Sequence, residues 1–287
     1  MEFAERTGGV IINADSAQVY ADLRLLSARP SAAEMSQAEH RLFGCRDAAL
    51  PYSAADWAQA AAAEVSHVQK AGKLPILVGG TGMYLRTLLD GIAPVPPIDP
   101  VVREAVRERG VEQNRDELER LDPAGAERLG PTDSARIGRA LEVVLSTGRT
   151  LSEWQSDRQG GIGPAVELRP IILLPPRPWL YHRCDQRFAA MLDDGAIDEV
   201  DALLRRRLNP ALPAMRAIGF REITALLAGE IGREEAISAG SQATRNYAKR
   251  QYTWFAHQPP PEWPRFVEPL DSRAAMERAL ALLGASE

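Results

Sequence analysis

Short apolar runs separated by longer amphipathic stretches outline this chain. Val10, Ile11 and Ile12 are β-branched, follow Gly8-Gly9 and stop at a polar turn, which predicts a short buried strand delivering Asp15 into a loop. Leu74-Pro75-Ile76-Leu77-Val78 predicts a second buried strand, and Pro170-Ile171-Ile172-Leu173-Leu174-Pro175 a third at which the sheet resumes. Residues 1–6 read as the end of a helix closed by Thr7-Gly8-Gly9, and Ser53 caps an alanine-rich helix over residues 54–71 closed by Gly72. Residues 23–50 read as loop-rich, with a turn at Ser27-Ala28-Arg29-Pro30 and a connection at Glu39-His40-Arg41-Leu42.

A proline-dense linker over residues 94–100 breaks this rhythm. The amphipathic stretches 101–109, 115–121, 124–129 and 133–147 then predict short helices without strands between them, ending in Gly160-Gly161-Ile162-Gly163-Pro164. The expected organisation is an α/β core over residues 1–97 and 167–287, a parallel sheet flanked by helices, with an all-helical subdomain inserted over residues 98–166. Helices are predicted over 179–194 and 197–207, and the stretch 243–255 reads as a helix with Arg245, Lys249 and Arg250 on one side and Tyr252, Trp254 and Phe255 interleaved.

Composition narrows the class. The chain has 287 residues, 45% of them hydrophobic and 25% charged, enough for a full core. Its two cysteines, Cys45 and Cys184, lie in no metal-like or framework spacing, so a reducing cytoplasm is the expected compartment. No apolar run reaches membrane-spanning length, and the first residues lack the layout of an export signal. A formal net charge of -5 argues against indiscriminate nucleic-acid binding, while a local basic face could still hold a phosphate backbone.

Several segments carry candidate chemistry. Asp15 at the carboxyl end of a strand, with Ser16 and Gln18 beyond it, offers a base and two neutral hydrogen-bonding groups; an Asp there also commonly caps the next helix. Gly79-Gly80-Thr81-Gly82 lies at a strand-to-helix turn, where glycines let backbone approach an anion or let a helix pack close to the sheet. Arg136 and Arg139 share a helix face, a pattern as often solvated or paired within the protein as bound to a ligand. Arg216 stands close to Gly219 at a break before a new helix, a plausible anion contact. Basic residues with aromatics over 243–255 suit a folded single-stranded RNA or an amphipathic helix packing its rings into the core. His40 and His67 stand in no cluster with ligand spacing and are assigned no chemistry.

Taken together, Ile12-Asn13-Ala14-Asp15-Ser16-Ala17-Gln18-Val19-Tyr20, Leu77-Val78-Gly79-Gly80-Thr81-Gly82-Met83-Tyr84, Arg136-Ile137-Gly138-Arg139-Ala140-Leu141-Glu142-Val143 and residues 243–254 resemble the bacterial tRNA dimethylallyltransferases, in order and spacing, over residues 1–255. The resemblance implies a core similar to that of P-loop nucleotide kinases, with the helical insertion embracing the anticodon arm. It implies transfer of a dimethylallyl group from dimethylallyl diphosphate to N6 of adenine 37 in tRNA, by a cytoplasmic, monomeric enzyme not bound to membranes. By similarity Asp15, Thr81 and Arg216 are the catalytic residues. Asp15, Ser16, Ala17, Gln18, Thr81, Arg103, Arg136, Arg139, Arg216, Gly219, Arg221, Lys249, Arg250, Gln251, Thr253 and Trp254 would hold the tRNA with its base flipped out. Mg²⁺ is implied on the diphosphate, without a protein ligand that can be named.

Two departures stand out. The family's Thr-Ala-Lys-Pro becomes Ser27-Ala28-Arg29-Pro30, which keeps a hydroxyl and a cation. No GxxxxGK[ST] occurs in the sequence, so the nucleotide-binding residues of the family's phosphate loop have no counterpart here. The expectation is a start codon assigned too late, with donor binding crippled in the chain as it stands. The rivals are a tRNA-binding remnant indifferent to the donor and an adenylate isopentenyltransferase using a free nucleotide, which would not need the insertion or the basic helix. A nucleotide kinase is disfavoured, because neither a complete phosphate loop nor a lid arginine pattern is evident.

Overall fold

The computed structural model of the chain describes residues 1–284. It forms two compact units, Met1–Arg86 with Val166–Glu287, and Thr87–Ala165. In the first, β1 (Val10–Asn13) runs between β2 (His40–Arg41) and β3 (Pro75–Val78), all parallel, with Ile11 aligned to His40 on one side and Ile76 on the other. All four residues of β1 are buried, so its apolar residues Val10, Ile11 and Ile12 follow one another without alternation before the buried Asn13. Helix α1 (Glu2–Thr7) ends at Gly8, whose φ of 63° turns the chain into β1. The segment expected as a connection at residues 39–42 contains β2 instead. Its polar side chains give no strand signal, and it is held through backbone, with Ile11 N–H donating to Glu39 O at 2.8 Å.

Short α2 (Ala32–Met35) follows the loop after β1. Helix α3 (Ala54–Lys70) starts at the expected Ser53, which forms a reciprocal capping box with Asp56. It buries Trp57 between the end of β1 and α4 (Gly82–Asp90): the indole stacks on Tyr84 at 4.5 Å and donates from Nε1 to Asn13 O at 2.8 Å. The third predicted strand does not rejoin this sheet. β4 (Ile172–Leu173) pairs in parallel with β5 (Arg265–Phe266) as a separate two-stranded sheet, the flanking prolines restricting it to two residues. Phe266 buries against Ala275 and Ala279 of α14 (Arg273–Ala281).

Helices α10 (Arg177–Asp193), α11 (Ala196–Arg205), α12 (Phe220–Leu227) and α13 (Arg233–His257) complete the first unit. The α10–α13 contact is close because Gly240 leaves room for Phe188; a Cβ there would sit 1.9 Å from the ring.

The second unit consists of α5 (Pro100–Glu108), α6 (Val111–Leu121), α7 (Pro123–Glu127), α8 (Ser134–Thr147) and α9 (Leu151–Ser156), with the last half-turns of α4. Val106, Leu118, Ile137 and Leu141 form its core, facing inward at the spacing the amphipathic pattern gives. Its first boundary falls at Thr87 rather than at residue 98. The segment ahead of the proline-dense linker is tied into this unit by Ile92 and Gln159, which exchange backbone hydrogen bonds at 2.9 and 3.0 Å, and by Ile162 N–H donating to Leu88 O.

Candidate active site

Beyond β1 the chain bends into a polar turn organised by Asn13. This fully buried side chain donates to Asp15 O and Leu42 O and accepts from Asp15 N–H at 2.9 Å. The Asp15 carboxylate in turn accepts from Ala17 N–H at 2.8 Å and Gln18 N–H at 3.3 Å. Burial pushes its carboxyl above the ordinary range, against the lowering effect of those amides and of the nearby Arg187 charge. Asp15 is therefore held in place by backbone and made more basic by its surroundings, as a general base requires.

Asp15 lines a cavity of about 280 Å³ together with Ser16, Ala17 and Gln18, whose far wall includes Arg187, Phe188, Arg216 and Ile218. Leu23 and Leu26 add apolar surface, while Tyr20, Tyr52, Tyr247 and Gln251 add polar groups. The 23–26 loop is fixed from α11, where Glu199 accepts three successive backbone N–H bonds, from Arg24, Leu25 and Leu26 at 2.8 to 3.0 Å. Gln18 pins the following turn by donating from Nε2 to Ser27 O and Ala28 O.

Thr81 stands beside this cavity without lining it. Its hydroxyl accepts from Ser16 N–H at 2.9 Å and shares a 3.2 Å hydrogen bond with Ser16 Oγ, and the Tyr247 phenol also approaches it. The three expected catalytic residues are thus brought together, Asp15 and Arg216 in the lining and Thr81 behind Ser16.

The glycine turn is occupied by protein. A Cβ on Gly79 would lie 2.2 Å from the Ala14 backbone, on Gly80 2.0 Å from Gln251 Nε2, and on Gly82 2.4 Å from the Trp254 ring. Close approach of the Ala14 backbone accounts for Gly79, and close packing of α13 for Gly80 and Gly82. Gly79→Ala is accordingly expected to cost about 1–3 kcal/mol by overpacking rigid backbone. Gly80→Ala should cost less, since an amide side chain can move, and thermal melts of the two variants check that order.

The expected RNA contacts sort into distinct surroundings. Gln251 donates from Nε2 to Gly80 O at 2.9 Å and Trp254 packs on Gly82, so both support the turn. Gly219 is buried with a φ of 91°, against Phe188 and Leu26, and serves the turn after Arg216 rather than an exposed surface. Arg221, Lys249, Arg250 and Thr253 are exposed and do not line the cavity; Arg250 lies over the Tyr247 ring, and Arg245 pairs with Asp185. In the second unit Arg136 pairs with Asp133, whereas Arg103, Arg107 and Arg139 converge on the buried Glu142 at 3.7 to 3.9 Å. One carboxylate shared by three guanidiniums leaves that cluster net positive.

Sequence reasoning missed Arg187, Phe188 and Tyr247 as lining residues. The spacing Thr244, Tyr247, Gln251 marks one face of α13 and is a signal in the sequence, but the same stretch carries a stronger basic pattern in Arg245, Lys249 and Arg250 on its other faces. Among the described residues no three His, Cys, Asp or Glu side chains converge, and Asp15 is the only carboxylate in the lining, beside two arginines. This donor set does not fit a protein-held Mg²⁺.

An α/β protein with a half-buried carboxylate and arginines around a cavity at the carboxyl edge of a parallel sheet belongs to the class of open α/β proteins, which bind their ligands at that edge. Residues 18–258 match the family described as IPP transferase, and the chain belongs to that family. It is 62% identical over 262 residues to the tRNA dimethylallyltransferase of Erythrobacter litoralis, covering 91% of this chain and 82% of that one. With the enzyme of the same name from Novosphingobium aromaticivorans it shares 61% identity over 256 residues, covering 89% and 91%. Among solved structures, the full-length tRNA isopentenylpyrophosphate transferase of Bacillus halodurans superposes with a TM-score of 0.68 at 29% identity, covering 99% of this chain and 90% of that one. A eukaryotic dimethylallyltransferase acting on tRNA superposes with a TM-score of 0.73 at 25% identity, covering 88% and 65%.

Proposed function

We propose that this chain transfers a dimethylallyl group from dimethylallyl diphosphate to N6 of adenine 37 in tRNA. The observation that carries it is Asp15, a half-buried carboxylate with raised proton affinity in one cavity with Arg216. An exocyclic adenine amine is a weak nucleophile. As its lone pair forms the new bond to the allylic carbon, the N6 proton passes to Asp15 and the C–O bond to diphosphate breaks. Arg216 meets the negative charge that gathers on the leaving oxygens through charge-assisted hydrogen bonds. Thr81 acts through Ser16, keeping the Asp15 turn in place. The apolar wall of Leu23, Leu26, Phe188 and Ile218 suits a flipped base and a five-carbon chain and keeps water from the allylic centre.

The exposed arginines and Lys249 would take RNA phosphates, and the net-positive cluster around Glu142 offers a second such surface. No helix among the described residues is long and apolar enough to cross a membrane. Incubation with dimethylallyl diphosphate and an unmodified anticodon stem-loop, followed by mass analysis of the digested RNA, tests this directly. One added dimethylallyl group on adenine 37 is expected, with no product from adenosine monophosphate. Prenylation of the free nucleotide alone would overturn the tRNA assignment.

A further inference from the structure

Two arginines reach the cavity lining, and only Arg216 has a role above. Arg187 has none, although its helix partners Phe188 and Met191 line the same space. The other arginines of α10 are engaged: Arg177 lies 4.7 Å from the Tyr252 ring centroid and Arg183 5.8 Å from that of Trp179. The nearby acid of the helix, Asp185, is taken by Arg245. Among the described residues Arg187 makes no ion pair, hydrogen bond or ring contact; its charge is felt by Asp15 and by the Cys184 thiol, both of which it makes less basic. It is exposed while lining the cavity, so its guanidinium stands where the cavity opens, with five donors and no protein acceptor. A guanidinium that lines the cavity with no protein acceptor has its counterpart outside the protein.

We propose that Arg187 is a second phosphate-binding residue of this cavity, presenting a planar fork to phosphate oxygens alongside Arg216. This rests on the prenyl-transfer reading. That chemistry has two sources there, the diphosphate of the donor and the RNA phosphate next to the reacting base. Either anion offsets the charge of Arg187 when bound, which restores the basicity of Asp15 in the loaded site.

The test compares parent, Arg187→Gln and Arg187→Lys. Calorimetry measures binding of inorganic diphosphate, and fluorescence anisotropy at fixed salt measures binding of the anticodon stem-loop. Thermal melts serve as the folding control, which an exposed side chain should pass. Arg187→Gln is expected to weaken one of the two ligands by about tenfold, and Arg187→Lys to recover part of that loss by keeping the charge without the fork. A loss confined to diphosphate assigns the contact to the donor, and one confined to the stem-loop assigns it to RNA. Unchanged affinity for both, or no binding of either by the parent, overturns the proposal. Because these are binding comparisons, they are separate from prenyl transfer itself. A parent that binds both ligands but forms no prenylated RNA would sink the function and leave the Arg187 contact standing.

Discussion

Asp15→Asn is expected to lower the rate of transfer by about 10²–10⁴-fold, the usual contribution of a positioned general base, while leaving tRNA affinity nearly unchanged. Asn keeps the oxygen that accepts from Ala17 and Gln18 N–H, so the turn survives and only the proton acceptor is lost. Stability should move the other way. The folded state holds the Asp15 proton more tightly than the unfolded chain does, because burial raises its carboxyl. Between the ordinary carboxylate range and the raised folded value, the parent therefore loses stability as pH rises, and that loss persists at neutral pH. Asn carries no such penalty. Its melting temperature should equal or exceed that of the parent at neutral pH, with the difference vanishing in acid, as thermal melts across pH would show. A variant with undiminished turnover would remove Asp15 from the chemistry.

Trp57→Ala has the largest expected effect on the fold, about 3–5 kcal/mol. Trp57 is 0% exposed and joins the two strand ends that make the site: its ring stacks on Tyr84, three residues after Thr81, and its N–H bonds Asn13 O, two residues before Asp15. Truncation opens a large void and leaves a buried carbonyl without its donor. Set against the ~5–15 kcal/mol typical of folded domains, this is enough to unfold a sizeable share of the protein at physiological temperature. Trp57→Phe keeps the stack, loses the hydrogen bond and should cost about 1–3 kcal/mol. Urea denaturation of the three proteins measures both steps, and an Ala variant as stable as Phe would show that the stack carries nothing.

Both strand ends were readable because the apolar runs 10–12 and 75–78 stop at polar turns, although β3, expected to be buried, is only half-buried and leaves Val78 exposed at its end. Helices α5, α7 and α8 of the insertion were readable because capping residues and an amphipathic period mark them, as Asp133 and Gly148 do for α8; α6 starts four residues ahead of its expected span, at a Gly110 that offers no side-chain cap, and α9 was not predicted, although Thr150 and Glu153 form a capping box at its start. What stayed hidden depends on partners far away in sequence. Gly80 and Gly82 look like a phosphate cradle in a local window, and only the fold brings Gln251 and Trp254 into the space they leave. β2 and β5 are two-residue strands paired through backbone, which leaves no side-chain period to detect. Residues 258–287, read without an assigned role, supply β5 and α14, and Glu277 pairs with Arg6 to tie α14 to α1; residues 285–287 lie outside the described residues. Glu199 resembles any acid in a helix's first turn until its three amide partners come into view.

The central claim is that a carboxylate made basic by burial takes the proton from an adenine amine in the Asp15 cavity. Single-turnover prenylation of an anticodon stem-loop, followed as a function of pH for the parent and Asp15→Asn, measures this most directly. The account predicts a parent rate that rises with pH through one ionisation above the ordinary carboxylate range, and a small, pH-independent rate for the variant. An identical rise in both proteins would contradict it.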